Sequence, residues 1–407
     1  MTILTAALST VFALLALMAF SMLNRPESTL MWQISVVTKE YGHYAAIVTV
    51  VVAAALLLTA PPFWWTRALV LVLGLVLSGA FAWPLSSALR LQREIHARAS
   101  GGFPPDLAIN FRMLFTGARL KSVPYQRLEY RRAGDQALTL DYYPAQGVGD
   151  APWVLVIHGG GWENGDSTQL AELNSLLSGW RIAVFAINYR LAPQNKWPAP
   201  LSDARAAVEF IRIRAPEFGI HPERWAVLGR SAGGQIAGVL AYTMNENAPR
   251  GLVSLYAPSD LFLAWTSSKP GAVLEPLTLL KNYLGGSPQE VPRQFETGSP
   301  LLLATAASCP TFLVHGQEDK LIWHRQSERL EARLRDLEVP VTFLSLPWAT
   351  HGFDFNLAGP GGQLFIQTLR HFLMQVFKQR PERFRGSAIQ VCKFGSQGSG
   401  ECPCVIV

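Results

Sequence analysis

The first 89 residues are almost uniformly apolar. From about residue 122 the pattern changes to short β-branched or aromatic runs alternating with longer stretches of helical spacing. Three uncharged windows, 1–24, 41–66 and 68–89, each hold a run of about 20 mostly apolar residues, the length that crosses a bilayer's hydrocarbon core. They predict helices over about 2–23, 43–60 and 68–89, with Pro61-Pro62 and Trp64-Trp65 supplying a turn and an interfacial aromatic belt. No Asp, Glu, Lys or Arg interrupts these runs, so nothing suggests a transporter or proton pathway, and the helices read as an anchor. A cleaved signal peptide is the alternative for the first run, but no Lys or Arg precedes it and no small-x-small cleavage site ends it.

Strands are expected over 138–142, 153–158, 182–188, 224–228, 252–256, 311–315 and 341–344. Helices are expected over 170–178, 202–214, 232–242, 324–337 and 361–378. Strand–helix alternation predicts an α/β domain with a mostly parallel sheet flanked by helices. Ser202-Asp203 reads as an N-cap for the second of those helices. The expected organisation is an anchor over 1–90, a basic juxtamembrane connector over 91–121, a catalytic-type domain over 122–378 and a flexible tail over 379–407.

Composition supports this division. The chain has 407 residues, of which 49% are hydrophobic and only 16% charged, below the quarter typical of soluble domains. Of 35 Lys and Arg and 29 Asp and Glu, residues 1–89 hold only five: Arg25, Glu27, Lys39, Glu40 and Arg67. The net charge of +6 comes mostly from 90–121, which contributes +4, so it fits attraction to anionic lipid better than a nucleic-acid surface. Arg25, Lys39, Arg90, Arg93 and Arg98 on one side of the membrane face only Arg67 on the other. That asymmetry places the N-terminus outside and the large domain on the cytoplasmic side. The four cysteines form no disulfide framework, with Cys309 alone and the rest at the C-terminal end.

The strongest chemical signal is Gly229-Arg230-Ser231-Ala232-Gly233, between an expected strand and an expected helix. A nucleophile on so tight a turn needs small residues two before and two after it, and the helix N-terminus favours developing negative charge there. The second signal is His158-Gly159-Gly160-Gly161-Trp162, whose glycines let backbone N–H groups face an oxyanion. No Lys-Ser/Thr follows, so a phosphate loop is disfavoured. Asp319 follows the 311–315 run, and His351 follows the 341–344 run, giving the chain order Ser, Asp, His. His351 would act as general base and Asp319 would hold its tautomer. Glu318 is the alternative acid. Asp260 reads rather as a cap or turn residue, and His158 and His315 as loop braces. No cluster has zinc-ligand spacing.

With these residues in hand, the chain resembles the acetyl-esterase/lipase branch of the α/β-hydrolases, which includes the hormone-sensitive-lipase-like esterases. The resemblance rests on 158–162, Tyr189-Arg190-Leu191-Ala192-Pro193 leading to Trp197-Pro198-Ala199-Pro200, 229–234, and the Asp319/His351 pair, and it covers roughly 122–378. It implies an α/β-hydrolase fold, Ser231, Asp319 and His351 as the triad, and the N–H groups of Gly160, Gly161 and Ala232 as oxyanion donors. The 262–300 insertion resembles the short lid of feruloyl- and formamide-hydrolysing relatives. Isoprenylcysteine methylesterases resemble the architecture of membrane helices before such a domain.

Trp162, Trp265, Trp323 and Trp348 fall in or near loops expected around Ser231, which suits an apolar or aromatic acyl group; packing of the loops is the other reading. The chain ends Cys404-Val405-Ile406-Val407, formally a lipidation sequence, with Cys402 as a second site and an unmodified tail favoured. The expectation is a multi-pass, membrane-anchored serine carboxylesterase or lipase-like hydrolase. It would need no cofactor or metal, would take a small-molecule or lipid ester, and would contact membrane lipids but no nucleic acid. An arylformamidase-type amidase and a non-catalytic membrane scaffold are the alternatives.

Overall fold

The structure, a computed structural model, describes residues 3–24, 28–59, 63–98, 102–118, 121–147 and 149–378. The expectations for the 379–407 tail and its cysteines lie outside these residues.

Among the described residues, three helices are long and apolar enough to cross a membrane: α1 (Ile3–Leu23), α3 (Gly42–Thr59) and α4 (Trp64–Arg98). They form their own apolar cluster, with Phe12, Leu15 and Ala19 of α1 against Val52 and Leu56 of α3 and Leu77 and Phe81 of α4. Small residues let α3 and α4 approach closely. A Cβ added at Gly42 would lie 2.4 Å from the Phe81 carbonyl, and one at Gly74 would lie 2.9 Å from Ala53 Cβ.

The first departure from the sequence pattern is α2 (Thr29–Glu40), in a segment expected only to link two spans. Ser28 caps it, its Oγ accepting from the Met31 N–H at 3.3 Å. The second is α4, whose 35 residues rise by roughly 50 Å and so outrun the bilayer. The charges at Arg90, Arg93 and Glu94 mark where the apolar run stops, but Leu, Arg, Gln and Glu are all good helix formers and the helix continues through them. Beyond it, residues 102–118 lie against the catalytic-type domain. Gln367 exchanges hydrogen bonds with the backbone of Ala108, and Gln363 Oε1 accepts from the Asn110 N–H at 2.7 Å. The short helix α5 (Phe111–Thr116) is tied to α3, because the Tyr44 hydroxyl donates to Phe115 O at 3.0 Å.

Among the described residues, the remainder is one eight-stranded sheet with helices around it, including α8 (Ala215–Phe218), α11 (Pro276–Leu284), α12 (Pro292–Thr297), α13 (Pro300–Leu303) and α14 (Arg325–Asp336). Its strands are β1 (Gln126–Ala133), β2 (Gln136–Tyr143), β3 (Ala151–Ile157), β4 (Ala183–Ile187), β5 (Ile220–Arg230), β6 (Leu252–Leu255), β7 (Thr311–Gly316) and β8 (Val341–Leu346). The spatial order is β1-β2-β4-β3-β5-β6-β7-β8. β2 runs antiparallel to both β1 and β4, and every other pairing is parallel. This mixed, mostly parallel sheet with helices on both faces is the α/β-hydrolase fold.

The central strands are buried on both faces, which is why they read as continuous apolar runs. One face is covered by α7 (Ala199–Ile213) and α9 (Ala232–Thr243), with Trp153 stacked on Trp225 at 4.9 Å in that core. The other face is covered by α6 (Ala171–Gly179) and α15 (Pro360–Lys378), whose Phe365, Leu369 and Phe372 meet β6, β7 and β8. The Ser202-Asp203 N-cap expectation is corrected. α7 starts at Ala199, and the buried Asp203 carboxylate instead receives the Arg190 guanidinium at 2.8 Å and that of Arg131 at 3.2 Å. A buried carboxylate without such partners would be costly, and the paired arginines explain an Asp inside the helix.

Candidate active site

Each residue of the site sits at the C-terminal end of a strand, where the loops of an α/β sheet converge. Ser231 follows β5 and precedes α9 with φ +50° and ψ −121°, a strained conformation that lifts its hydroxyl from the chain. Its flanking glycines are required by contact. A Cβ at Gly229 would lie 2.3 Å from the Gly233 carbonyl oxygen, and one at Gly233 would lie 2.2 Å from that of His158. Both obstacles are backbone and cannot swing aside. Gly233→Ala is therefore expected to destabilise the chain by roughly 1–3 kcal/mol, read as a lowered Tm in detergent; an unchanged Tm would contradict this close packing.

His351 lies on the loop between β8 and α15. The Ser231 hydroxyl donates to its Nε2 at 3.0 Å, and its Nδ1–H donates to Asp319 Oδ2 at 2.7 Å. Asp319 is buried just after β7, with Oδ1 accepting from the Leu321 and Ile322 N–H groups, both at 2.9 Å. Burial works against its ionisation, but the His351 imidazole and hydrogen bonds from His315 and His351 outweigh it and hold the carboxyl below the usual range. His315 braces the same loop, with Nε2 3.0 Å from Ile322 O and 3.2 Å from Asp319 Oδ2, and Nδ1 2.8 Å from Ser327 Oγ. Glu318 is more exposed and takes the Lys320 ammonium at 2.8 Å. Asp260 stands apart, capping α10 (Leu261–Ser267) by accepting from the Leu263 N–H at 3.0 Å and pairing with Arg329.

The glycine loop after β3 lies beside Ser231. Gly160 and Gly161 have φ +118° and +61°, and a Cβ at Gly160 would lie 2.0 Å from the Asn164 carbonyl oxygen. The Gly159 N–H is taken by Gln169 Oε1 at 2.8 Å, which leaves those of Gly160 and Gly161 as the loop's candidate donors, with Ala232 at the first position of α9. His158 is buried, and burial pushes its imidazole down to about 4; it stacks on Tyr189 at 4.3 Å, and its Nδ1 lies 2.7 Å from Gly159 O within the loop.

A largely apolar cleft of about 670 Å³, counting its open mouth, is lined by Gly161, Trp162, Leu279, Ile322 and Trp323 around Ser231 and His351. Trp162 is fixed there by stacking on Tyr283 at 4.3 Å and by its N–H to Gln235 Oε1 at 3.0 Å. The other two tryptophans are corrected. Trp265 packs edge-on against Phe295 with the Lys281 ammonium over its ring, and Trp348 is fully buried in the core between β8 and α15; neither lines the cleft.

Sequence reasoning missed a buried network behind the site. Arg230, the residue before the serine, donates to Asp354 Oδ1 at 2.8 Å and to the Tyr256 hydroxyl at 2.7 Å, and Tyr256 donates to Asp354. Asp354 lies three residues beyond His351, so this ion pair ties the nucleophile's turn to the histidine's loop. The three residues share no spacing in sequence, and only the fold joins them. Among the described residues no group of three or more His, Cys, Asp or Glu is placed to hold a metal ion. Cys309 is buried, which pushes its thiol up to about 12 and leaves no reactive thiolate.

The fold is that of the α/β-hydrolases. Residues 140–334 match the family BD-FAE, a span that includes Ser231 and Asp319 and stops before His351. The chain is 30% identical over 251 residues to a probable carboxylic ester hydrolase, LipM, of Mycobacterium tuberculosis, covering 56% of this chain and 56% of that protein. It is 32% identical over 210 residues to an ethyl acetate hydrolase of Pseudomonas putida, covering 49% of this chain and 65% of that protein. The chain thus spans less than two thirds of these relatives. A solved bacterial heroin esterase superposes with a TM-score of 0.54 at 24% identity, over 64% of this chain and 86% of that one.

Proposed function

We propose that this protein is a membrane-anchored serine carboxylesterase, cleaving an ester through an acyl-enzyme on Ser231. The observation that carries the reading is the unbroken chain from Ser231 Oγ to His351 Nε2 at 3.0 Å and from His351 Nδ1 to Asp319 at 2.7 Å. His351 would take the hydroxyl proton as Ser231 attacks the acyl carbon and return it to the leaving alcohol; water would then repeat the sequence to release the acid. The N–H groups of Gly160, Gly161 and Ala232 would stabilise the oxyanion. The esterase relatives support the reaction class, and the three apolar helices support the anchor. The charge asymmetry of Arg25, Lys39 and Arg90 against Arg67 favours a cytoplasmic catalytic domain.

The cleft supports an apolar acyl group of modest size. The expected result is hydrolysis of p-nitrophenyl esters by the full chain in detergent, with kcat/KM highest for short and medium acyl chains and far lower for matched anilides. Leu279→Ala, which removes a cleft-lining side chain beside Gly161, is expected to move the optimum to longer chains by enlarging the cleft. An enzyme that prefers formanilides would contradict the ester reading, and an unmoved chain-length optimum would contradict this assignment of the acyl site.

A further inference from the structure

His351 is carried by a loop, so its alignment with Ser231 depends on what packs against that loop. From one side it is held by the Arg230–Asp354 ion pair. From the other it is met by α2, the helix joining the first two apolar spans. Glu40, at the end of α2, is fully buried. Its Oε2 accepts from the Gly361 N–H, in the first turn of α15, at 3.2 Å. The surroundings are shaped to admit this carboxyl: a Cβ at Gly359 would lie 2.3 Å from Oε2, and one at Gly361 would lie 3.0 Å from Oε1. Trp32, two turns earlier on α2, covers Gly352, the residue after His351; a Cβ there would meet the Trp32 ring at 3.8 Å. Lys39, the neighbouring residue on α2, is buried too, and Glu318 and Asp319 act on its ammonium electrostatically.

We infer that Glu40 is a positioning residue: by seating its carboxyl against the start of α15, α2 holds the His351 loop in register with Ser231. This rests on the serine-hydrolase reading and extends it, because it makes the membrane-helix region part of the scaffold of the active site rather than a tether alone. A buried acid is costly unless its surroundings hold it, and here burial pushes the carboxyl up to about 8, with Asp354 adding to the effect. Burial thus favours the neutral acid, of which Gln is the near-isosteric replacement.

The test compares Glu40→Ala and Glu40→Gln with wild type in the full detergent-solubilised chain, by ester kinetics and by amide hydrogen exchange. Glu40→Ala is expected to lower kcat by about 10- to 100-fold, the scale of a misplacement of about 1 Å, with KM little changed. Exchange should quicken in 349–362 but not in the Ser231 turn and α9, and Glu40→Gln should restore both readouts. Wild-type kcat and wild-type loop exchange in Glu40→Ala would overturn the inference. Exchange rising across the sheet as well would also overturn it, since Glu40 would then support the whole fold. Exchange is read without substrate. A wild-type chain that hydrolyses no ester would count against the serine-hydrolase reading, while the loop pattern still decides whether Glu40 holds the histidine's loop.

Discussion

Replacing Ser231 with Ala should lower kcat for ester hydrolysis by roughly a millionfold while leaving the fold intact. The change removes one oxygen atom from a site where every other group is held independently. Asp319 keeps its bonds from the Leu321 and Ile322 N–H groups, and His351 keeps Asp319. The strained backbone at 231 is imposed by the close approach of Gly229 and Gly233 to neighbouring main chain and does not depend on the hydroxyl. Thermal unfolding should therefore be near wild type, so lost turnover would report lost nucleophile rather than lost structure. Residual activity above about a thousandth of wild type would point to a different nucleophile.

Replacing Asp319 with Asn should cost about 10⁴-fold in kcat, through the proton on the histidine rather than through geometry. Asp319 Oδ2 accepts from His351 Nδ1–H, which leaves Nε2 as the acceptor facing the Ser231 hydroxyl. The two backbone N–H groups on Oδ1 fix the Asn oxygen at that position and turn its amide group toward His351. Nδ1 must then accept, the proton moves to Nε2, and His351 can no longer take a proton from Ser231. Glu318→Gln is the informative control. Glu318 is more exposed and pairs with Lys320, so its kcat should stay within a few-fold of wild type. A larger loss in Glu318→Gln than in Asp319→Asn would reverse the assignment of the acid.

What the sequence disclosed followed physical visibility. The central strands are buried on both faces and announce themselves as apolar runs, and the glycine motifs announce themselves because backbone atoms occupy the space of their missing side chains. β1 was not legible: it is an edge strand bearing Arg127, Glu129, Arg131 and Arg132, with no buried stripe to betray it. α2 was hidden for a related reason. Its charged end, Lys39-Glu40, reads as a solvated link between spans, and only the folded chain reveals that both side chains are buried, Glu40 against the start of α15. Trp348 misled in the opposite sense. Its position three residues before His351 suggested the cleft, whereas a Trp following a buried strand can also turn inward, and this one does. Arg230, Tyr256 and Asp354 are far apart in the chain and follow no spacing rule, so their network could be read only from coordinates.

The most direct measurement is to treat the detergent-solubilised wild-type chain with a fluorophosphonate and locate the adduct by peptide mass spectrometry. A single stoichiometric adduct on Ser231 is expected, suppressed by prior incubation with a hydrolysable ester and absent from Asp319→Asn over the same reaction time. A folded wild-type chain that stays unmodified, or carries its adduct on another residue, would contradict it.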